Sequence, residues 1–590
     1  MPSYRAPIAD IMLALRATGL AEVLTLPGGA EDVCEDLVGA VLSEAGKLAA
    51  DVLAPLNAPG DRQGSRLENG TVRTPDGFAE AYGHFVDGGW TGVPFDPEYG
   101  GQGLPWMVGT ALNEIWQAAN MSFGLAPLLS AGTIELLDSH GSAEQKAQWL
   151  PKLISGEWTG TMNLTEPQAG SDLAAVRTKA VAAADLGEGV YRIFGSKIFI
   201  TYGDHDFTPN IVHMVLARIS DAPPGIKGIS LFIVPKTLPT AEGGLGTAND
   251  LRCVSLEDKL GIHASPTCVM AFGDQGGAVG YLVGAANHGI EYMFTMMNNA
   301  RLGVGVQGVG QAERATQAAV EYARARVQGG DASVRGGPSV SIIHHPDVRR
   351  MLMTMRARTQ AARLITYLTA AALDTAKRHA DAALRAEAAT RAALLTPIAK
   401  AWSTEAGIDV ANLGIQVHGG QGYIEDAGAA QFLRDARIAS IYEGTNGIQA
   451  IDLVGRKVLR DGGVAARALT SELAAIAERS AATLPGLQAP LADGLADLEA
   501  ALEWVLSHPD AVSAQAAATP FLTLFGLVLG GGLLVEQAVI ATAEAEKAAA
   551  ATTAGFFLRH LLPATAGHLA TIRAGAADLV ALHEDAFVAA

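Results

Sequence analysis

A chain of 590 residues with 49% hydrophobic and only 17% charged side chains can bury a large core, which excludes wholesale disorder. Its formal charge of −19 opposes binding to nucleic acid or to an anionic membrane surface, although local basic pockets for phosphates stay possible. The cysteines, Cys34, Cys253 and Cys268, stand far apart without metal-ligand spacing, which fits a reduced cytoplasmic protein.

The first residues, Met1-Pro2-Ser3-Tyr4-Arg5-Ala6-Pro7, carry no charged-then-apolar secretion pattern. From Pro7 to about Leu150 apolar residues recur at three- and four-residue spacing, as in Asp10 to Leu15 and Ala40 to Leu53, and predict helices. A Gly- and Pro-rich loop between Gly89 and Pro105 reads either as a wall beside a ligand or as a rigid connector between helices. Near Thr161 the texture turns to alternation and β-branched residues: Tyr191 to Thr201 reads as a hairpin, and Ile211 to Arg218 and Ile229 to Pro235 as further strands. From Gly289 the helical pattern returns, interrupted by a Gly-rich loop at 326–338 and a turn at 419–422. Beyond Arg460 lie Ala/Leu-rich helices with no motif that carries chemistry. Among them, Pro520 to Val535 is apolar but shorter than the ~20 residues a bilayer span requires. A buried core helix is expected there, and the chain is not expected to be an integral membrane protein.

Four segments carry the candidate chemistry. Ile441-Tyr442-Glu443-Gly444-Thr445-Asn446-Gly447-Ile448-Gln449 sets one carboxylate between an apolar strip and a turn of small residues that can bend closely around a ligand. Leu164-Thr165-Glu166-Pro167-Gln168-Ala169-Gly170-Ser171-Asp172 presents hydroxyls and backbone N–H groups in a loop shaped by Pro167 and Gly170. The others are Lys259-Leu260-Gly261-Ile262-His263-Ala264-Ser265-Pro266-Thr267 and Gln416-Val417-His418-Gly419-Gly420-Gln421-Gly422-Tyr423. In this order and at these separations they resemble the acyl-CoA dehydrogenases, over about residues 1 to 460. The resemblance implies an α+β, mostly α fold. Its parts would be an N-terminal helical domain (1–160), a middle β-domain (161–285) and a helical bundle with the catalytic Glu (286–460), followed here by a helical extension (466–590). The extension and the opening residues resemble a long subgroup that includes the 3-methylmercaptopropionyl-CoA dehydrogenases.

The reaction so implied is FAD-dependent α,β-dehydrogenation of an acyl-CoA thioester. By position Glu443 is the base for the α proton, and closure of its carboxylate into an apolar pocket should raise its pKa. Some relatives carry the base one residue before an Arg on an earlier helix; in Asn298-Asn299-Ala300-Arg301 that place is Ala300, which cannot accept a proton. The resemblance assigns Leu164, Thr165, Phe199, Thr201, Thr445 and Gly447 to the cofactor. Ser171, Tyr442, Gly444 and Arg301 fall to the substrate. It places Arg326 on the pyrophosphate of a neighbouring subunit's FAD, and Gln416, Gly419 and Gly420 on the adenosine half. Because Gly329-Gly330 replaces the family's Phe-Gly, a solvated helix-end Arg competes with that reading of Arg326. Gln168 replaces the usual Gly and should matter little if its side chain points outward. His263 and His418 are expected to be structural, not metal ligands, and Arg434 to Arg437 to form an ion-pair cluster. The implied assembly is a homodimer or larger oligomer that passes electrons to an electron-transfer flavoprotein. The substrate would be 3-methylmercaptopropionyl-CoA, giving methylthioacryloyl-CoA, or a medium straight-chain acyl-CoA. An acyl-CoA oxidase and a non-catalytic helical scaffold are the rival readings.

Overall fold

A computed structural model describes residues 4–29, 33–240, 243–331, 333–334 and 336–588, so Met1-Pro2-Ser3 lies outside the described residues. Backbone contacts divide the chain into two units: residues 44–104 with 115–300, and residues 1–43 with 105–114 and 301–590.

The β-branched stretch after Thr161 builds the first unit around an eight-stranded sheet. The strand order is Leu251–Leu256, Thr267–Phe272, Val190–Thr201, Ala278–Leu282, Ser230–Pro235, Asn210–Ile219 and Trp158–Asn163, with Lys179–Ala182 paired to Val190–Thr201 and Asn210–Ile219. Asn210–Ile219 is buried over its first eight residues, as expected of a strand covered on both faces. Ile193, Val215, Phe232, Val234, Met270 and Phe272 form the sheet's core. Tyr191 to Thr201, expected as a hairpin, is instead part of one strand, Val190–Thr201. The misreading has a local cause. Gly195 is a single glycine, not a two-residue turn, and at φ +153 it bends the strand where a Cβ would lie 2.6 Å from the Thr178 hydroxyl. At that point the strand changes partner, from Ala278 opposite Ile193 to Phe272 opposite Gly195. Helices Phe78–Asp87 and Met121–His140 contribute an aromatic cluster in which Phe123 meets Phe85 at 5.7 Å and Phe78 at 6.4 Å.

The second unit is helical. The chain from Arg301 in helix Gly289–Ala325 packs with helices Pro346–Arg378 and Ala382–His418. A buried ion cluster ties these to the segment around Glu114. Arg363 Nε donates to Glu114 Oε1 and Oε2 at 2.9 and 3.0 Å, Arg363 Nη2 donates to Glu313 Oε2 at 2.9 Å, and the Tyr367 hydroxyl donates to Glu114 Oε2 at 2.6 Å. Charges this deep are tolerated only when paired.

The extension belongs to the same core. In helix Ala511–Ile540 the residues Phe521, Leu524, Phe525, Val528, Leu529 and Leu534 are buried. Its glycines allow close approach: a Cβ at Gly526 would lie 2.3 Å from Trp402 Cδ1, and one at Gly530 would lie 2.9 Å from Ala361 Cβ. Among the described residues this is the one helix long and apolar enough to cross a bilayer, yet 83% of its most apolar window is buried inside the protein. A helix apolar all round is what a core position requires.

Removing residues 461–590 would therefore bare the faces of Trp402 and Ala361 that this helix covers. The truncated chain is expected to aggregate or to lose its cooperative thermal transition. A soluble truncation with the Tm of the intact protein would contradict this packing.

Candidate active site

Glu443 lies in the tight turn between the 3-10 segment Ile438–Ser440 and helix Asn446–Asp452. Its φ of +55 is left-handed, a conformation that costs a non-glycine residue about 1–3 kcal/mol. Surrounding bonds hold the strain. Tyr442 N–H donates to Ile438 O at 3.1 Å, the Tyr442 hydroxyl donates to Gln307 Oε1, and the Thr445 hydroxyl donates to Ser440 O at 3.3 Å. Gln449 Nε2 donates to Gly444 O at 3.1 Å. Gly444, at φ +81, is required by closeness as well as by conformation, because a Cβ there would sit 2.6 Å from Gln449 Nε2 and 3.7 Å from Arg301 Nη2.

Burial pushes the Glu443 carboxyl up to about 7, against the pull of Arg301 and Lys400. Lys400 is fully buried and its ammonium is pushed down to about 7, chiefly by burial, with Glu443 acting the other way. Arg301 is 8% exposed, and burial lowers its pKa too. Among the described residues Gln307 Nε2 and Gln449 Oε1 are buried without a hydrogen-bond partner, so polar atoms beside the turn are free for a ligand. Ala300, one residue before Arg301, is buried and apolar.

In the β-bearing unit the carboxylate of Glu166 builds the Leu164–Asp172 loop. It accepts from Lys197 Nζ at 2.8 Å, Thr178 N at 3.0 Å, Thr178 Oγ1 at 2.6 Å and Arg177 N at 2.7 Å. Burial alone would raise its pKa; the Lys197 charge and these bonds hold it at about 2. Lys197, fully buried, also donates to Leu164 O at 2.9 Å, and burial lowers it to about 8. Gln168, expected to matter little, does not point idly outward: its Nε2 bonds Glu166 Oε2 at 2.6 Å and Ala175 O at 3.1 Å. Thr165 O accepts from Ile198 N at 2.9 Å, which sets Thr165 beside the end of the long strand. There Phe199 is 58% exposed at φ +59, next to half-buried Thr201. Among the described residues the Thr165 and Thr201 hydroxyls bond nothing else. An uncovered aromatic face flanked by unspent hydroxyls fits a flat ring with polar edges, so these residues suit a flavin. Ser171 is exposed in the same loop.

The other candidates gather elsewhere in the helical unit. The Tyr322 and His418 rings are 4.5 Å apart, which brings the end of helix Gly289–Ala325 beside the end of helix Ala382–His418. Arg326, Gln416, Gly419 and Gly420 are all exposed there, and Arg326 Nη2 reaches Gln328 Oε1 at 3.3 Å. With a rise of 1.5 Å per residue, the axial distance from Lys400 to His418 is about 27 Å, so this group stands well away from the Lys400 end of the helix. Thr445 and Gly447, by contrast, flank Glu443 in its own turn. His418 Nδ1 meets Gly414 O at 2.7 Å, and His263 lies 2.9 Å from Asp61 Oδ1 and 2.7 Å from Lys259 O. Among the described residues no three His, Cys, Asp or Glu side chains could share a metal ion. Arg434 pairs with Glu425 at 2.8 Å, and Arg437 donates to Ser440 Oγ at 2.6 Å, ahead of the Glu443 turn.

Lys197, Lys400 and Gln307 escaped the sequence analysis, and Gln449 was given no role of its own there. The signal for the two lysines was present: each is a lone charge in an apolar run, Phe194 to Ile200 and Leu394 to Trp402.

Four domain families match in succession: acyl-CoA dehydrogenase N-terminal domain at residues 40–157, middle domain at 161–275, C-terminal domain at 287–459, and acetyl-CoA dehydrogenase C-terminal like at 469–583. The chain belongs to the acyl-CoA dehydrogenase family. This dehydrogenase is an FAD-dependent oxidoreductase acting on acyl-CoA thioesters, built as an N-terminal helical, a middle β and a C-terminal helical domain with added C-terminal helices. It is similar to 3-methylmercaptopropionyl-CoA dehydrogenase of Ruegeria pomeroyi, at 48% identity over 92% of each chain. It is 34% identical, over 100% of both chains, to the broad-specificity linear acyl-CoA dehydrogenase FadE5 of Mycobacterium tuberculosis. The solved structure of Caenorhabditis elegans ACDH-11 in complex with C11-CoA shares its fold, with TM-score 0.76 and 21% identity over 94% of this chain and 91% of that one.

A carboxyl raised from its ordinary 4.5 to about 7 makes ionisation cost stability, so this contribution is lost as pH rises through that window. FAD-loaded Glu443→Gln, always neutral, is expected to melt above wild type at pH 8 and together with it near pH 4.5. An equal gap in Tm at both pH values would show that the carboxyl is not raised.

Proposed function

We propose that Glu443 is the base that removes the α proton of the acyl-CoA thioester. The observation that carries this reading is a carboxylate held in a strained turn, short of water, with Arg301 and Lys400 as its neighbouring cations. Desolvation makes the carboxylate a stronger base, and the two cations keep a useful fraction of it ionised near neutral pH. Its own backbone N–H serves as a donor to the thioester oxygen, where negative charge grows as the proton leaves. Bound FAD supplies the two-electron acceptor for the β hydride, which no side chain offers. Leu164, Thr165, Phe199 and Thr201 hold the flavin ring, Thr445 and Gly447 approach the cofactor beside the base, and Ser171, Tyr442, Gly444 and Arg301 orient the acyl-CoA.

Arg326, Gln416, Gly419 and Gly420 serve the FAD of a second copy. Their exposure and their distance from the Lys400 end of the helix support this, because a guanidinium and bare glycine backbone in the open suit a diphosphate and its nucleoside. The reading thus includes a homodimer or larger homo-oligomer, an electron-transfer flavoprotein as acceptor, and a cytoplasmic setting in keeping with the free thiols of Cys34, Cys253 and Cys268. The substrate is 3-methylmercaptopropionyl-CoA, converted to methylthioacryloyl-CoA, in line with the Ruegeria pomeroyi relative. A medium straight-chain acyl-CoA is the second reading, favoured by the likeness to FadE5.

Anaerobic bleaching of the bound flavin by a panel of acyl-CoAs tests both parts. Wild type is expected to bleach fastest with 3-methylmercaptopropionyl-CoA, and Glu443→Gln at least about a hundredfold more slowly. Equal bleaching by straight chains would replace the sulfur substrate with the broader class. A Glu443→Gln protein as fast as wild type would remove Glu443 from the chemistry.

A further inference from the structure

Lys400 stands out among the buried charges, because the reaction as set out above gives it no contact with substrate or cofactor. It lies in the middle of helix Ala382–His418 and is 0% exposed. Its ammonium donates to Asn446 Oδ1 at 2.9 Å. Asn446 opens the helix that follows the base, three residues after Glu443, and it is clamped to the Lys400 helix by more than that bond. Its Nδ2 lies within hydrogen-bond distance of Thr404 Oγ1 (3.0 Å), Glu405 Oε1 (2.6 Å) and Ala401 O (3.3 Å), which share its two hydrogens. The amide of Asn446 therefore fixes where the turn sits on the long helix. Only one of the three ammonium hydrogens is used in this clamp, and among the described residues the other two have no acceptor. A lysine buried at that cost, when asparagine could be held by neutral groups alone, points to work done by the charge.

The charged groups around it define that work. Glu443, Arg301 and Glu405 act on Lys400, and Arg301 and Lys400 act on Glu443. Arg301 in turn answers to Glu443, Asp452 and Arg456. Two cations from two different helices thus face a single half-buried carboxylate. One of them, Arg301, lies beside Gly444 in the base turn itself, within 3.7 Å of where a Cβ on Gly444 would be. The other approaches from the long helix through Asn446.

We propose that Lys400 is a positioning residue for the base: it seats the Glu443 turn through Asn446 and supplies a positive charge that favours the Glu443 anion. This rests on Glu443 being the base. Lys400 touches neither substrate nor cofactor in this assignment, and its effect reaches the reaction through Glu443. Burial favours the neutral form of Glu443, and the ammonium opposes burial.

The test is the pH dependence of anaerobic flavin bleaching by 3-methylmercaptopropionyl-CoA, measured on FAD-loaded wild type, Lys400→Gln, Lys400→Met and Lys400→Arg. Wild type is expected to show an acid limb that Glu443→Gln abolishes. Lys400→Gln keeps a donor for Asn446 but no charge, and its acid limb is expected to move upward by about one pH unit or more. That makes it about fivefold slower than wild type at pH 7 and close to it at pH 9. Lys400→Met should show the same shift with a further loss at every pH, since it also removes the ammonium donor to Asn446 Oδ1; if it fails to hold FAD, Lys400→Gln decides. Lys400→Arg should keep the wild-type limb. A uniform loss in Lys400→Gln with an unmoved limb would make Lys400 a packing residue and overturn the proposal. Wild type with no acid limb, or a limb that survives in Glu443→Gln, would overturn the base assignment and this proposal with it.

Discussion

The helical unit is arranged around a carboxylate that burial tries to neutralise and two cations that oppose it. Glu443, Arg301 and Lys400 come from a turn and two long helices, and each is held where water cannot fully compensate its charge. Such a balance is sensitive to position. A small change in the turn alters both the solvation of the carboxylate and its distance from the cations, so the scaffold must fix the turn firmly. The bonds from Gln307, Gln449, Ser440 and Asn446 meet that demand at four separate points. They also explain how Glu443 persists at a positive φ that its own side chain disfavours.

Glu166 shows what the same side chain becomes when compensation is complete. It is at least as buried as Glu443, yet its carboxylate accepts from an ammonium, a hydroxyl, two backbone N–H groups and a side-chain amide, and it stays ionised down to about pH 2. A carboxylate so fully satisfied cannot act as a base near neutral pH, and its task is to shape the Leu164–Asp172 loop. The Arg363 cluster with Glu114 and Glu313 follows the same rule in the helical core. Glu443 differs through what is missing: it has two cations nearby and few donors. Incomplete satisfaction is what separates a reactive carboxylate from a structural one here.

Much of this was legible in the sequence, because the site segments depend on residue types that are rare in combination. The order of helices, strands and helices followed from the change in periodicity near Thr161 and its return near Gly289. The turn chemistry at Gly444 could be read, since a small residue was required. Three things could not. Positive φ values at Phe199 and Glu443 left no trace, because neither residue favours that conformation and only tertiary bonds impose it. The bend at Gly195 looked like a turn, because a glycine among β-branched residues signals both, and only the partner strands decide between them. Lys400 showed only as a stray charge in an apolar run, because its meaning lies in Asn446, 46 residues later.

The extension, which carries no motif, is joined to the same balance by packing. Helix Ala511–Ile540 presses Gly526 against Trp402, and the Phe557 ring lies 6.5 Å from the Trp402 ring. Trp402 is two residues from Lys400 and two from Thr404, both of which bond Asn446. The extension helix also contacts Asn446–Asp452 directly, so it braces both sides of the clamp that seats the Glu443 turn. Interiors at crystal-like density transmit displacement because they have no slack to absorb it. A glycine at 526 then has a reason beyond helix packing: any side chain there would push Trp402, and with it the stretch of helix from which Lys400 and Thr404 reach the base turn. Residues remote from the chemistry and free of any functional signature are in this way part of what sets the geometry of the base.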